Sequence, residues 1–209
     1  MAEDLVLLDR WCAGDRAAGN ELFKRHFESL YRFFSSKVDV EIDELVQETL
    51  LACVTQRATF RRQSSFRTYL FAIARYTLYG YWKRVRPTLD VDEISVASLS
   101  TSVGTRIARR QDQARLLQAL RELPVEQQLL LELHYWEGLE RSQLAEVFDV
   151  EEATTRSRLF RARQALRERL ERTAPRPETH EDADFDVWAR SLRPRGSGEL
   201  SGAPEQEGA

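Results

Sequence analysis

Apolar residues recur at helical spacing along most of this chain, and the spacing fades in one internal stretch, 87–112. Between 4 and 37 the apolar positions are Leu5, Leu8, Trp11 and Cys12, then Leu22, Phe23, His26, Phe27, Leu30, Tyr31 and Phe34. A 3.6-residue period of this kind predicts amphipathic helices. Gly14-Asp15 and Gly19-Asn20 interrupt the period and are expected to mark a turn. Asp39 is expected to cap a helix over about 41–57 with Ile42, Leu45, Val46, Leu50 and Val54 inward. A polar loop over about 58–64 precedes a helix over about 65–85 that Pro87 stops.

Beyond the faded stretch, helices are expected near 112–122, 124–137, 140–148 and 152–172. Pro124 opens one of them, Gly138 ends it, and Asp149-Val150 form a tight turn. Hydrophobic residues make up 42% of the 209, enough for real cores, so the two periodic blocks can each fold. The tail, 173–209, is rich in Pro, Gly, Glu and Ser and is expected to be mostly disordered. One island in it, 184–193, places Phe185, Trp188 and Leu192 at helical spacing.

The net charge of −3 hides an asymmetry. Acids gather around Asp39–Glu48, around Asp90–Glu93 and after Glu178; arginines gather in 57–86 and 156–172. Local basic patches hold phosphate whatever the net charge, because the interaction depends on the nearby surface. Residues 143–172 have helix–turn–helix spacing. Leu159, Ala162, Leu166 and Leu170 form the inward stripe of the second helix, and Arg156, Ser157, Phe160, Arg161 and Arg163 fall largely outside it. Guanidinium groups there can read guanine edges or grip phosphates.

The helix over 65–85 alternates aromatic and cationic residues: Phe66, Tyr69, Phe71, Tyr76, Tyr79, Tyr81 and Trp82 beside Arg67, Arg75, Lys83 and Arg84. A stripe of Tyr69, Ala72, Ile73, Tyr76 and Leu78 is expected to serve the core. The remaining rings and cations suit unstacked single-stranded bases, which need a π-face and a positive field. The preceding Arg61, Arg62, Gln63, Ser64 and Ser65 offer donors for a base turned out of the duplex. Asp43, Glu44, Gln47 and Glu48 make an acidic, amide-bearing helix face suited to docking a protein.

Other chemistries lack support. The histidines, His26, His134 and His180, are scattered, no metal-ligand spacing exists, and there is no Gly-rich phosphate loop. No enzyme activity, metal or cofactor is therefore expected. Cys12 and Cys53 are read as buried thiols. No apolar run is long enough to span a membrane, and the acidic N-terminus is unlike a signal peptide, so a cytoplasmic protein without membrane insertion is expected. A simple regulator that binds duplex DNA through 140–172 is the rival reading, but it has no use for the aromatic–cationic helix.

Four stretches, DELVQETLL (43–51), SFRTYLFAIARYTLYGYWKR (65–84), LRELPVEQQLLLELHYWEGL (120–139) and TTRSRLFRARQALRERL (154–170), resemble the sigma factors of bacterial RNA polymerase, in particular the small extracytoplasmic-function (ECF) group. The resemblance covers roughly 5–172 apart from the linker. It implies an all-α protein: a promoter-melting helical domain at 1–86, a linker at 87–112, a helix–turn–helix domain at 113–172, and an extension at 173–209.

By the same resemblance, Asp43, Glu44, Gln47 and Glu48 dock on the clamp helices of the polymerase's largest subunit, and the flap of the second-largest subunit is a further partner. Arg61, Arg62, Ser64, Ser65, Phe66, Arg67, Tyr69, Arg75, Tyr76, Tyr79, Trp82, Lys83 and Arg84 serve the −10 element, taking up single-stranded promoter DNA. Thr154, Arg156, Ser157, Arg158, Phe160, Arg161 and Arg163 serve the −35 element as duplex. An anti-sigma factor, or the chain's own tail, is expected to hold the protein inactive. Four positions depart from the family pattern: Tyr76 where Asn is usual, Asp149 for Gly, Glu151 for Ser and Thr155 for Val. They imply a divergent promoter and a second domain weaker by ~1 kcal/mol at its cap.

Overall fold

In a computed structural model, residues 2–56, 60, 64–87, 95–99, 111–173 and 182–194 are described. Among them ten helices form: α1 Ala2–Cys12, α2 Arg16–Ser35, α3 Ile42–Thr55, α4 Phe66–Val85, α5 Val96–Leu99, α6 Gln111–Arg121, α7 Val125–Tyr135, α8 Arg141–Phe148, α9 Glu152–Thr173 and α10 Asp182–Ser191. No strand forms among the described residues; Ser95 and Pro124 make a single bridge. The protein is all-α, as the periodicity predicts.

Helices α1–α4 pack as one bundle and α6–α9 as a second. Leu22, Leu30, Phe34, Leu45, Cys53, Leu70, Phe71 and Leu78 are buried in the first; Leu116, Leu120, Leu129, Leu133, Leu144, Leu159 and Leu166 are buried in the second. Burial of apolar side chains at about 1.5–3 kcal/mol each is the main force holding each bundle.

Local chemistry sets the helix ends. Asp15 caps α2, its Oδ1 accepting from the amides of Ala17 (3.0 Å) and Ala18 (3.1 Å). These bonds, with Arg10 beside the carboxylate, hold the Asp15 carboxyl below its usual range. The expected break at Gly19 does not occur: Gly19 lies inside α2, and a Cβ there would meet the Trp11 ring at 2.6 Å. This glycine makes room for α1 rather than turning the chain. The expected Asp39 cap is also replaced. Glu41 precedes α3 in the left-handed region at φ 59°, with no side-chain cap bond.

Ser65 caps α4 through the amide of Thr68 at 3.1 Å. Asp149 takes the left-handed turn of the helix–turn–helix at φ 54°, ψ 51°, a conformation Asp tolerates better than most residues. Gly138, at φ 67°, ends α7 as its position predicts.

The tail island folds as α10 and docks on the second bundle. Phe185, Ala189 and Leu192 are buried, Trp136 Nε1 donates to the Ala189 carbonyl at 3.1 Å, and Tyr135 Oη donates to Asp186 at 2.5 Å. Most of the remaining tail lies outside the described residues.

Candidate nucleic-acid and polymerase surfaces

Helix α9 is long and arginine-rich, and burial sorts its residues by role. Thr155, Leu159, Ala162 and Leu166 are buried, and Arg156, Ser157, Phe160 and Arg161 are exposed on the outer face. Phe160 is 61% exposed, so the bundle does not use its ring as core. Thr154 is half-buried. Two of the expected readers are engaged elsewhere. Arg158 is ion-paired with Glu126 of α7. Arg163 contacts Asp186 of α10 at 3.3 Å and lies over the Tyr135 ring. Glu126, Gln127, Leu130, Arg158 and Arg161 line a cleft between α7 and α9 beside the exposed face.

His134 anchors this region structurally. Its Nδ1 lies 3.0 Å from the Leu139 carbonyl, and burial is the main reason its imidazole titrates below the usual value. Leu123, Leu139 and Val147 complete the apolar floor.

On the first bundle, α3 presents Asp43, Glu44, Gln47 and Glu48 together on one exposed face. Leu51, 64% exposed, continues that face by one helical turn. Sequence reading passed over Leu51, although it falls off the inward stripe and one turn beyond Gln47. Arg84 of α4 reaches Glu48 at 3.5 Å, so the acidic face and the basic end of α4 adjoin.

The aromatic–cationic helix divides differently from expectation. Phe66 and Trp82, expected among the −10 contacts, are instead buried, and their rings pack in the core. Tyr76, assigned to the core by its spacing, is 61% exposed. The i+7 relation to Tyr69 put Tyr76 on the inward stripe, but Ile73, Ala74, Thr77 and Leu78 fill that space instead. Tyr69 packs on Phe60 with ring centroids 4.6 Å apart. Lys83 and Arg84 are exposed; Ser64, Ser65, Arg67, Arg75 and Tyr79 are half-buried. Arg61 and Arg62 lie outside the described residues.

The second bundle covers part of this helix. Gln143 Nε2 lies 3.5 Å from Ser65 Oγ and 3.4 Å from Thr68 Oγ1. Arg75 donates to the Val147 carbonyl at 3.4 Å and stacks over Phe148. Arg67 is ion-paired with Glu137, which also accepts from Arg32 at 2.8 Å. Lys37, fully buried, is paired with Glu132, whose Oε2 also accepts from Ser36 at 3.0 Å. Burial drives the Lys37 ammonium below its ordinary range, and Glu132 opposes that shift.

Cys53 is buried as expected, and burial pushes its thiol up to about 12. Cys12, expected to be buried, is exposed at the end of α1. Among the described residues no group of His, Cys, Asp or Glu side chains could hold a metal ion, and no helix is long and apolar enough to cross a membrane.

Two helical bundles, one carrying an acidic face beside an aromatic–cationic helix and the other a helix–turn–helix, define the class of this protein: all-α and built in two parts. The Sigma-70 region 2 family matches residues 22–88, and Sigma-70, region 4 matches 113–166. The chain belongs to the sigma-70 family, in its ECF group, and is a factor of transcription initiation and promoter recognition.

It is 29% identical to the ECF RNA polymerase sigma-E factor of Salmonella typhimurium, over 78% of this chain and 92% of that protein. It is 29% identical to the ECF RNA polymerase sigma factor SigM of Mycobacterium tuberculosis, over 78% of this chain and 82% of that protein. Its fold is similar to that of CnrH in complex with the cytosolic domain of CnrY, with a TM-score of 0.63 and 22% identity, over 82% of this chain and 99% of that one. It is also similar to the sigma factor RpoE in complex with the anti-sigma factor NepR from Bartonella quintana, with a TM-score of 0.56 and 24% identity, over 71% of this chain and 96% of that one.

Proposed function

We propose that this chain binds core RNA polymerase, recognises the −10 and −35 promoter elements and promotes DNA melting, with 1–86 and 113–172 as its two working domains, 87–112 as the linker and 173–209 as an extension. Asp43, Glu44, Gln47, Glu48 and Leu51 form the polymerase-docking face, against the clamp helices of the largest subunit; the second bundle meets the flap of the second-largest. Arg156, Ser157, Phe160 and Arg161 read the −35 duplex. Tyr76, Lys83 and Arg84, with Ser64, Ser65, Arg67, Arg75 and Tyr79 once uncovered, hold the melted −10 strand.

The observation that carries this reading is the exposure of Phe160 between Arg156 and Arg161 on the outer face of α9. An exposed ring among arginines contributes nothing to the bundle, but it can contact thymine methyl groups while the guanidinium groups hold guanines or phosphates.

Melting follows from two terms. Stacking of extruded bases contributes ~1–3 kcal/mol per base, and phosphate contacts add a salt-sensitive term. Both act on the separated strand, so they offset the cost of unpairing. The RpoE neighbour above is in complex with the anti-sigma factor NepR, and CnrH with the cytosolic domain of CnrY; an anti-sigma factor is the corresponding expectation here.

The test is to mix the purified chain with core polymerase and follow co-elution and promoter opening on a duplex template. Co-elution with opening supports the reading. A chain that shifts duplex DNA alone and never joins the polymerase is the simple regulator instead.

A further inference from the structure

We propose that Arg32, Lys37 and Arg67 form a phosphate-binding patch on the first bundle, with Arg75 at its margin, and that the second bundle masks it in cis with Glu132 and Glu137. This rests on the two-bundle promoter-binding reading above and adds Arg32 and Lys37 to it.

The second bundle supplies an acid to each main cation. Glu137, only 6% exposed, takes Arg32 at 2.8 Å on one oxygen and Arg67 on the other. Glu132, 3% exposed, takes Lys37. Two carboxylates from one helix end thus occupy the place that backbone phosphates would take between cations of α2, the turn after it and α4. Arginine pairs with carboxylate and with phosphate in the same forked geometry, so one can substitute for the other.

Two of the covered cations, Arg67 and Arg75, remain under-satisfied. Among the described residues, the buried Nε atoms of Arg67 and Arg75 have no hydrogen-bond partner. Lys37 has been drawn fully out of water, and two protein oxygens and Glu132 serve it instead. Separating the bundles leaves Arg32, Lys37 and Arg67 without those two acids, on the same bundle that carries Tyr76, Lys83 and Arg84.

The segment after α10 fastens the mask. Arg193 adds a third cation to Glu137 at 3.3 Å, and the Pro194 carbonyl accepts from Arg32 at 3.5 Å. Gln113 of α6 donates to the carbonyls of Leu192 at 3.1 Å and Arg193 at 3.2 Å. The segment after α10 therefore touches both bundles at the same acid.

The experiment measures binding of the full chain to a single-stranded oligonucleotide of random sequence, by fluorescence anisotropy across a salt series, with the solution radius of gyration followed in parallel. Glu137→Gln is expected to expand the particle and to raise affinity about tenfold. The slope of log affinity against log salt should steepen by about 2.1, three added phosphate contacts on a single strand. Arg32→Gln placed on Glu137→Gln should return affinity and slope toward wild type.

Glu132→Gln, read the same way, stands in if Glu137→Gln loses its helical circular dichroism. A folded, expanded Glu137→Gln that binds like wild type, or a gain that survives Arg32→Gln, overturns the proposal. Promoter-specific transcription by the wild-type chain, run alongside with core polymerase, separates this failure from failure of the sigma reading, since masking can be absent from a working sigma factor.

Discussion

Arg32 and Glu137 stand 105 positions apart in the chain and share a buried hydrogen bond of 2.8 Å. One belongs to the bundle with the acidic α3 face, the other to the bundle with the helix–turn–helix. The aromatic–cationic helix α4 and the arginine-rich helix α9 are thereby held in one arrangement, with Lys37 and Glu132 forming a second buried pair beside Arg32 and Glu137.

Removing one partner of a buried pair leaves the other charge uncompensated. Glu132→Ala should lower stability by ~3–5 kcal/mol. The double change Lys37→Met with Glu132→Leu should cost less than the single one, because no charge is left behind. Thermal and urea unfolding of the three proteins checks the order.

Two glycines on helices should respond with opposite signs. Gly19→Ala places a methyl 2.6 Å from the Trp11 ring and should destabilise by ~1–3 kcal/mol through overpacking. Gly80→Ala, with no neighbouring atom within 4 Å of the added Cβ, should stabilise by up to ~1 kcal/mol through helix propensity. Urea midpoints decide both.

Stability should fall in mild acid. Burial holds His26 and His134 below the ordinary value of 6.5, against the pull of Asp4 on one and of the Leu139 carbonyl on the other. The unfolded chain then binds protons first as pH drops. Stability is level above about pH 6.5 and declines below it toward the lowered folded values, at most about 1.4 kcal/mol per histidine per pH unit. Melting temperatures between pH 7.5 and 5.5 should show the decline, and His26→Gln with His134→Gln should flatten it.

Base reading should separate Arg156 and Arg161 from Arg158. Alanine at either of the first two should cost ~1–3 kcal/mol at particular −35 bases. Alanine at Arg158, which Glu126 already holds, should have a smaller effect, the same on every sequence. Binding to a panel of single-base −35 variants by the polymerase-bound protein distinguishes them.

The helices and the outer face of α9 were legible because period and charge report directly on which side of a helix meets water. Leu159, Ala162 and Leu166 are inward and Arg156, Ser157, Phe160 and Arg161 outward, as spacing predicts. Capping was less legible. Asp39 has the better cap chemistry, yet Glu41 takes the position in a left-handed conformation with no side-chain cap bond. Tyr76 was misplaced because a helix side rich in apolar residues offers more stripes than the core can fill.

The pairing of Arg32 with Glu137 had no local signature. A lysine or arginine in an amphipathic helix reads as solvated, and only the approach of a second bundle buries it. The docking of α10 was half visible, in the spacing of Phe185, Trp188 and Leu192. That spacing says nothing of its partners, Tyr135 and Trp136.

On the proposed function, this chain gives a polymerase its promoter. Core RNA polymerase with and without the purified protein should be given duplex templates carrying candidate −35 and −10 elements, and the 5′ ends of the transcripts mapped. Discrete starts that need the protein, and that vanish when either element is scrambled, are the predicted result. Transcription unchanged by the protein, or starts indifferent to both elements, would contradict the account.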